Sequence, residues 1–540
     1  LNNMKKRPWS KQYKNNEHLQ IPEKSLYYFL SQSAQKYGDQ TAIIFEDEKI
    51  KYSQLKEDVD RLAGAWKQMG FKKGDRIGLM LGNHPHYCLS YYAAQALGLT
   101  VVQINPMYTP RELLHIANDS QMSYIVGDSS ARQTIFEVCK QYRFDYIFIS
   151  QSNDGENQFT RLEDLFTSST MIESPVEVDV YEDIAVIQYT GGTTGKTKGA
   201  MLTHYNLVAN VVQSRVMYGD KMEIGKEMTL TATPLYHVYG MTSGMNLPIN
   251  IGGVILLFKK FELDYVLEKV KEYQPTFFPG VPKMYNAFVN HPDVEQYGLN
   301  CLKFCSCGSA PLPVEVLRRF EELTGAVIGE GFGLSESSPS THRNPPFGIR
   351  KAGSVGIPMP GTDCIIVDES GNELGPNTVG ELLIKGPQVM KGYWNNAEET
   401  KAALRNGWLY TGDLATMDED GYFYIVGRKK EMIIVGGFNI YPQEVEGVLY
   451  EHPLVLEAAV VGIPHQEQGE IVKAYVVPKD GRTLDPEELR EYCKTKLTRY
   501  KIPKEIELRE SLPRNTVGKL LKRLLVKEEL DKGFQSNTRG

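Results

Sequence analysis

Residues 189–207 read YTGGTTGKTKGAMLTHYNL. The run Gly195-Lys196-Thr197 resembles the end of a P-loop, yet a P-loop requires G-x-x-x-x-G-K-[ST] so that enough backbone N–H groups wrap a phosphate before the helix begins. The first glycine of that pattern would fall at residue 190, which is Thr190. What remains is a loop with hydroxyls from Thr190, Thr193, Thr194 and Thr197, an open backbone at Gly191, Gly192, Gly195 and Gly199, and positive charge from Lys196 and Lys198. That chemistry suits a polyanion; a surface hairpin rich in Gly and Thr is the other reading.

The rest of the chain sets the context. With 540 residues, it is long enough for two to four domains or sublobes. Hydrophobic residues at 41%, charged residues at 24% and a net charge of −7 describe a globular protein without the basic footprint of a nucleic-acid binder. Seven cysteines make no disulfide framework, and Cys301, Cys305 and Cys307 have no nearby histidine, so they read as small buried residues rather than a metal site. The N-terminus has basic residues without an apolar h-region, and the longest apolar stretch, 244–258, is interrupted by Asn246, Pro248 and Asn250. A cytoplasmic protein is expected.

From residue 41 the pattern alternates. TAIIF reads as a strand, Ser53 as the cap of a helix with Leu55, Val59, Leu62, Trp66 and Met69 on one face, and Gly70 as its end. DRIGLML, TVVQIN and SYIVGD read as further strands separated by helices, one opening at Thr109-Pro110. Repeated β–α units predict an α/β domain whose parallel sheet is covered on both faces. Near residue 353 short β segments with Gly/Pro turns predict a small β sublobe, and after residue 429 a separate α+β unit of about 110 residues is expected. The boundaries are 1–429 and 430–540.

Six segments follow in order: LYHVYGM (235–241), GSAPLP (308–313), EGFGLSES (330–337), YTGD (410–413), GRKKEMIIVGGFNIYPQEVE (427–446) and LPRNTVGKLLKR (512–523). Together with the Thr/Gly loop they closely resemble the adenylate-forming superfamily of acyl-CoA synthetases, peptide-synthetase adenylation domains and beetle luciferases, across essentially the whole chain. Within that superfamily the look is nearest to bacterial medium- and long-chain fatty-acid–CoA ligases.

The resemblance implies a two-step ligase: a carboxylic acid is joined to the α-phosphate of ATP with release of pyrophosphate, and the acyl-AMP is then attacked by the thiol of CoA. It makes Lys519 the adenylation lysine, and Glu336, with Thr190, the oxygen ligands of Mg²⁺. The nucleotide would be held by Thr190, Gly191, Gly192, Thr193, Thr194, Gly195 and Lys198, by Gly308, Ser309, Ala310 and Pro311 beside the adenine, by Gly331, Phe332, Gly333, Leu334 and Ser335, and by Asp413 and Arg428 at the ribose. His237, Tyr239 and Met241 would line the acyl site, Gly436 and Gly437 the pantetheine tunnel, and Lys430 would be the hinge of a mobile C-terminal domain.

No residue of LYHVYGM is acidic, which disfavours an amino-acid substrate and implies an uncharged acyl pocket for a fatty acid, with an aryl acid as the alternative. A non-catalytic nucleotide sensor is the reading from another class. Monomer or homodimer, and peripheral membrane contact or none, stay open.

Overall fold

The alternating segments feed two sheets. In the computed structural model, which describes residues 7–13, 19–152, 159–190, 197–465, 467–479, 481–515 and 518–537, Arg76–Met80 sits mid-sheet between parallel neighbours Thr100–Gln103 and Tyr124–Asp128. Thr100–Gln103 is followed outward by Ile184–Thr190, which is parallel to it, and then by antiparallel Lys198–Thr203 and Gly392–Tyr393. On the other side lie Tyr146–Ser150 and Thr160–Arg161.

Thr41–Phe45 does not join this sheet, although its sequence suggested the start of one continuous β–α series. It pairs in parallel with Val254–Leu257 in a nine-stranded sheet whose interior also holds Met228–Thr231, Phe277–Gly280, Phe304–Cys307 and Val327–Gly333. The helix Pro85–Ala96 explains how two sheets share one core. Apart from His86 its side chains are all buried, as expected of a helix apolar around its full circumference. Its Tyr92 hydroxyl donates to Asn246 Oδ1 at 2.8 Å, beside the second sheet. A single apolar cluster then runs from Ile77 and Val101 through Ile43 and Ile255 to Phe423.

The first long helix is Tyr52–Gln68 rather than one capped by Ser53; its N-cap is Lys51, which makes no side-chain capping bond. The buried Tyr52 hydroxyl, bonded to the Gly253 carbonyl, fixes the start one residue before the expected cap and moves Ser53 inside the helix. Leu55, Val59, Leu62 and Trp66 form the buried face as expected. Thr109 does cap its helix, in a reciprocal capping box with Glu112.

The sublobe is a five-stranded antiparallel sheet that includes Asp363–Val367, Gly380–Lys385, Trp408–Met417 and Phe423–Arg428. Beyond it, Ile433–Val435, Phe438–Ile440, Val455–His465, Gly469–Pro478 and Glu505–Leu508 form another sheet, with the helices Pro442–Tyr450, Pro486–Lys494 and Lys522–Asn537. Ile433, Val445, Leu449, Val460 and Val472 give this C-terminal unit an apolar cluster of its own. Cys305 and Cys307 are buried free thiols in the second sheet and Cys301 is half-buried, in keeping with a packing role. Among the described residues no helix is long and apolar enough to cross a membrane.

Candidate active site

The two strands around the Thr/Gly loop are Ile184–Thr190 and Lys198–Thr203, with Thr190 opposite Lys198 at the open end. Residues 191–196 between them, which include the expected phosphate ligands Gly191, Gly192, Thr193, Thr194 and Gly195, lie outside the described residues. The strands that flank this loop are mostly buried within the sheet. Thr190 ends a strand with a parallel neighbour, at the C-terminal edge where open α/β sheets bind ligands. Gly199 is required by packing, since a Cβ there would stand 2.7 Å from Ile187 Cγ2. Lys198 is held away from a free role: its Nζ contacts Glu399 Oε2 at 2.5 Å and lies 5.0 Å from the centre of the Tyr393 ring. That hydrogen bond holds the Glu399 carboxyl below its ordinary pKa.

Asp413 and Arg428 face each other on neighbouring antiparallel strands of the sublobe, with Arg428 Nε 2.9 Å from Asp413 Oδ1. Asp413 is only 2% exposed, and its Oδ2 is buried without a hydrogen-bond donor. Burial raises the carboxyl to about 6 against the pull of Arg428 and Lys519. An acidic oxygen buried and left empty is costly, and is expected where a ligand supplies the missing donor.

Lys519 reaches the same place from the C-terminal unit. Its loop is braced by Asn515, whose Oδ1 accepts from Lys519 N and whose N donates to Lys519 O, both at 2.8 Å. Gly518 has φ +81°, and a Cβ built on it would stand 3.7 Å from Val281 Cγ2 of the large domain. Lys519 is exposed, although neighbouring protein partly desolvates its side chain. This partial desolvation and the nearby Arg428 lower its pKa, opposed by Asp413, Glu431 and Glu336. Lysine, arginine and the two motif carboxylates, drawn from two domains, thus share one electrostatic site.

Glu336 lies in the short turn Ser335–Ser337, directly after the strand Val327–Gly333. The Tyr393 hydroxyl donates to its Oε1 at 2.7 Å. Gly331 and Gly333 pair with the strand Ser340–Arg343, and a Cβ at Gly333 would stand 2.4 Å from the Pro339 carbonyl oxygen, so Gly is obligatory there. Phe332 is half-buried, its ring edge-on to His342 at 6.0 Å. Leu334 N is fixed by the Ser337 hydroxyl at 3.1 Å.

His237 caps the short helix Val238–Met241 through Nδ1, which accepts from Tyr239 N at 3.4 Å. Burial, with a smaller effect of Lys519, lowers its pKa to about 4. The imidazole is therefore neutral at pH 7. Tyr239 is turned into the core, where its hydroxyl meets Ser306 Oγ at 2.9 Å and its ring lies 3.5 Å from a Cβ built on Gly308. Met241 is fully buried beside Gln103. The segment 308–311 leaves the strand Phe304–Cys307 with Ser309 in the left-handed region at φ +72°.

Gly436 and Gly437 form the left-handed turn between Ile433–Val435 and Phe438–Ile440, at φ +55° and +86°, with open space beside both. Their hairpin is on the surface, where Ile434 and Phe438 are exposed. Lys430 is exposed, two residues beyond the strand Phe423–Arg428.

Three positioning residues escaped the sequence reading. Tyr393 binds Glu336 from 57 positions away. Asn83 receives Leu235 N at 2.8 Å and donates to the Thr233 carbonyl at 2.9 Å, which clamps the approach to His237. Glu330, raised to about 8 by burial, accepts from Leu312 N at 3.0 Å and anchors the 308–313 segment. Glu330 stands directly before GFGLSE in the sequence, but its burial, like the other two contacts, depends on tertiary structure.

Comparison with known proteins identifies the family. The family model described as AMP-binding enzyme matches residues 30–394, and the AMP-binding enzyme C-terminal domain matches residues 444–519. A long-chain-fatty-acid–CoA ligase of Bacillus subtilis strain 168 is 42% identical, over 97% of this chain and 98% of its own. The crystal structure of ATP-bound MatB from Rhodopseudomonas palustris matches with a TM-score of 0.85 at 30% identity, over 94% of this chain and 99% of its own. The anthranilate CoA ligase AuaEII in complex with anthranoyl-AMP matches with a TM-score of 0.87 at 25% identity, over 94% and 98%. With both family models placed along one chain, and relatives aligned over nearly its full length, the chain belongs to the AMP-binding enzyme family.

Proposed function

We propose that this chain is an AMP-forming acid–thiol ligase that converts a fatty acid and ATP to acyl-AMP and pyrophosphate, then transfers the acyl group to CoA. The carrying observation is the buried Oδ2 of Asp413, which no described donor reaches, close enough to Lys519 of the C-terminal unit for their charges to act on each other. Both ribose hydroxyls can donate to Asp413, with Arg428 beside them. The adenine lies against 308–311 and 331–335, where small residues allow close approach, and the phosphates meet the 190–195 loop, with Lys198 joining them if it exchanges its Glu399 partner for phosphate oxygen.

A carboxylate attacks the α-phosphate only if the charge gathering there is offset, and Lys519 provides a preorganised cation for it. Among the described residues only Tyr393 donates to the Glu336 carboxylate, which leaves oxygen for a hard cation. Glu336, with Thr190, would hold Mg²⁺, and the bound ion offsets phosphate charge. His237, neutral and with Nδ1 occupied, orients the acid rather than removing a proton; Tyr239 and Met241 form the wall behind it.

Thiolation needs Lys519 withdrawn and the Gly436-Gly437 turn brought in. Rotation of residues 430–540 about Lys430, against a large domain of 1–429, meets both demands. The separate apolar cluster of the C-terminal unit supports that division. The enzyme works in the cytoplasm as a monomer or homodimer.

The test is pyrophosphate release with a panel of carboxylic acids, with and without CoA. Rates should rise with chain length, up to about 0.8 kcal/mol per buried CH₂, until the site is filled. Acetate or an amino acid outperforming octanoate and palmitate would overturn the fatty-acid assignment, and a benzoate-type optimum would favour the aryl alternative that the AuaEII match suggests.

A further inference from the structure

Lys198 stands opposite Thr190 at the open end of its two strands. The Tyr393 ring links it to Glu336: the Lys198 ammonium lies 5.0 Å from the ring centre, and the Tyr393 hydroxyl donates to Glu336 Oε1 at 2.7 Å. A lysine so near the carboxylate assigned to Mg²⁺ stands where a polyphosphate would be, yet its charge is already engaged. Its Nζ donates to Glu399 Oε2 at 2.5 Å, and that bond holds the Glu399 carboxyl below its ordinary pKa. Both groups are therefore charged at pH 7. To an incoming polyanion the pair offers almost no net charge.

The carboxylate has a fixed base. Glu399 lies in the short helix Ala397–Ala403, whose start is tied to the strand that carries Tyr393. The Asn396 side chain accepts from Glu399 N at 3.2 Å, and the Thr400 hydroxyl accepts from Tyr393 N at 2.9 Å while donating to Asn396 O at 2.7 Å. A Cβ on Gly392 would stand 2.8 Å from Thr400 Cγ2, so helix and strand are in direct contact. Lys198, on a flexible four-carbon stem, is the partner free to turn. The two side chains are 23% and 48% exposed, and an ion pair so open to solvent is weak enough to be exchanged. The charge of Lys430 also acts on Glu399, which leaves the carboxylate a second cation when the first departs.

We propose that Glu399 is an internal competitor for polyphosphate at Lys198: it holds the lysine between turnovers, is displaced by the outer phosphates of ATP, and reclaims the lysine as pyrophosphate departs. This rests on the acid-activating reading above and adds to it a positioning residue that governs how tightly the product is kept. ATP and pyrophosphate must break the same ion pair, so the carboxylate weakens both by a similar factor, and a product held less tightly leaves sooner. AMP lacks the outer phosphates and does not need Lys198.

The experiment is calorimetric titration with ATP, inorganic pyrophosphate and AMP, each with Mg²⁺, of the wild type, Glu399→Gln, Lys198→Met and the double variant. Glu399→Gln keeps the shape of the side chain and removes its charge. It should lower the dissociation constants of ATP and pyrophosphate by about threefold, the scale of an exposed ion pair, and leave that of AMP unchanged. In the Lys198→Met background the same substitution should gain less, because no ion pair is left to break. Unchanged or weaker binding of ATP and pyrophosphate by Glu399→Gln would overturn the inference and make Glu399 a support that aims Lys198. Equal gains with and without Lys198 would also overturn it, leaving Glu399 a nearby negative charge that takes no part in exchange. Equal tightening of AMP would overturn it by removing Lys198 from the outer phosphates. No binding of ATP by the wild type would overturn the nucleotide reading itself and this inference with it.

Discussion

Replacing Asp413 by Ala should weaken ATP binding about a hundredfold. The estimate comes from the site: Oδ1 is shared with Arg428, Oδ2 is empty, and two ribose hydroxyls can donate to the carboxylate. Charge-assisted bonds contribute about 1.5–3 kcal/mol each, and part of that is lost to exposing Arg428, so a net loss near 3 kcal/mol is expected. The pH dependence gives a second handle. Burial lifts the carboxyl from 3.8 to about 6. The folded protein therefore binds this proton more tightly than the unfolded chain does. The contribution to stability is present below pH 3.8 and is lost as pH rises toward 6, by roughly 3 kcal/mol in all.

Asp413→Asn removes that penalty. At pH 7 it should raise the Tm of the nucleotide-free protein while weakening ATP binding by about tenfold, the effect of one charged bond lost. Calorimetric titration with ATP and thermal melting, on the same samples from pH 5 to 8, measure both. If Asp413 were only a structural partner of Arg428, Asp413→Asn would lower Tm and leave the ATP dissociation constant unchanged, which would refute the ribose assignment.

Two further substitutions probe the rest of the cleft. Tyr393→Phe frees the Glu336 carboxylate of its hydrogen-bond donor, and should lower kcat by about tenfold while raising the Mg²⁺ concentration needed for half-maximal rate; an unchanged Mg²⁺ dependence would remove Tyr393 from the site. Lys430→Pro, which restricts φ to about −65° and deletes an N–H, should retain acid-dependent pyrophosphate exchange within about threefold and lose conversion of acyl-AMP to acyl-CoA. Equal losses of both would show that the pivot lies elsewhere.

Much of this site was legible before any coordinates, because its residues travel in short segments whose spacing is local. Asp413 within YTGD and Arg428 at the start of GRKKE are such cases, and their pairing across two strands was the added information. Local patterning also located the helix after Thr109-Pro110. It failed where long-range pairing decided the outcome. Nothing within TAIIF says that Ile43 pairs with Ile255, more than two hundred residues away, instead of joining the sheet around Ile77. Ser53 looked like a cap because Ser often is one, but the buried hydroxyl of Tyr52 set the helix start. Tyr393 resembled any strand tyrosine until the fold set it against Glu336. Glu399 was no more conspicuous, since only the fold sets it on Lys198 across 201 positions.

The central claim is that one cleft forms acyl-AMP with Lys519 inside and then releases that lysine so that a thiol can enter. The most direct measurement is the separation of the half-reactions in Lys519→Ala: acid-dependent exchange of pyrophosphate into ATP, and conversion of supplied acyl-AMP to acyl-CoA, on one folded preparation. Exchange should fall by at least about a hundredfold, the scale of one lost charge-stabilising group, while thiolation stays within about threefold of wild type. Exchange at a near wild-type rate, or thiolation lost in step with it, would contradict the account.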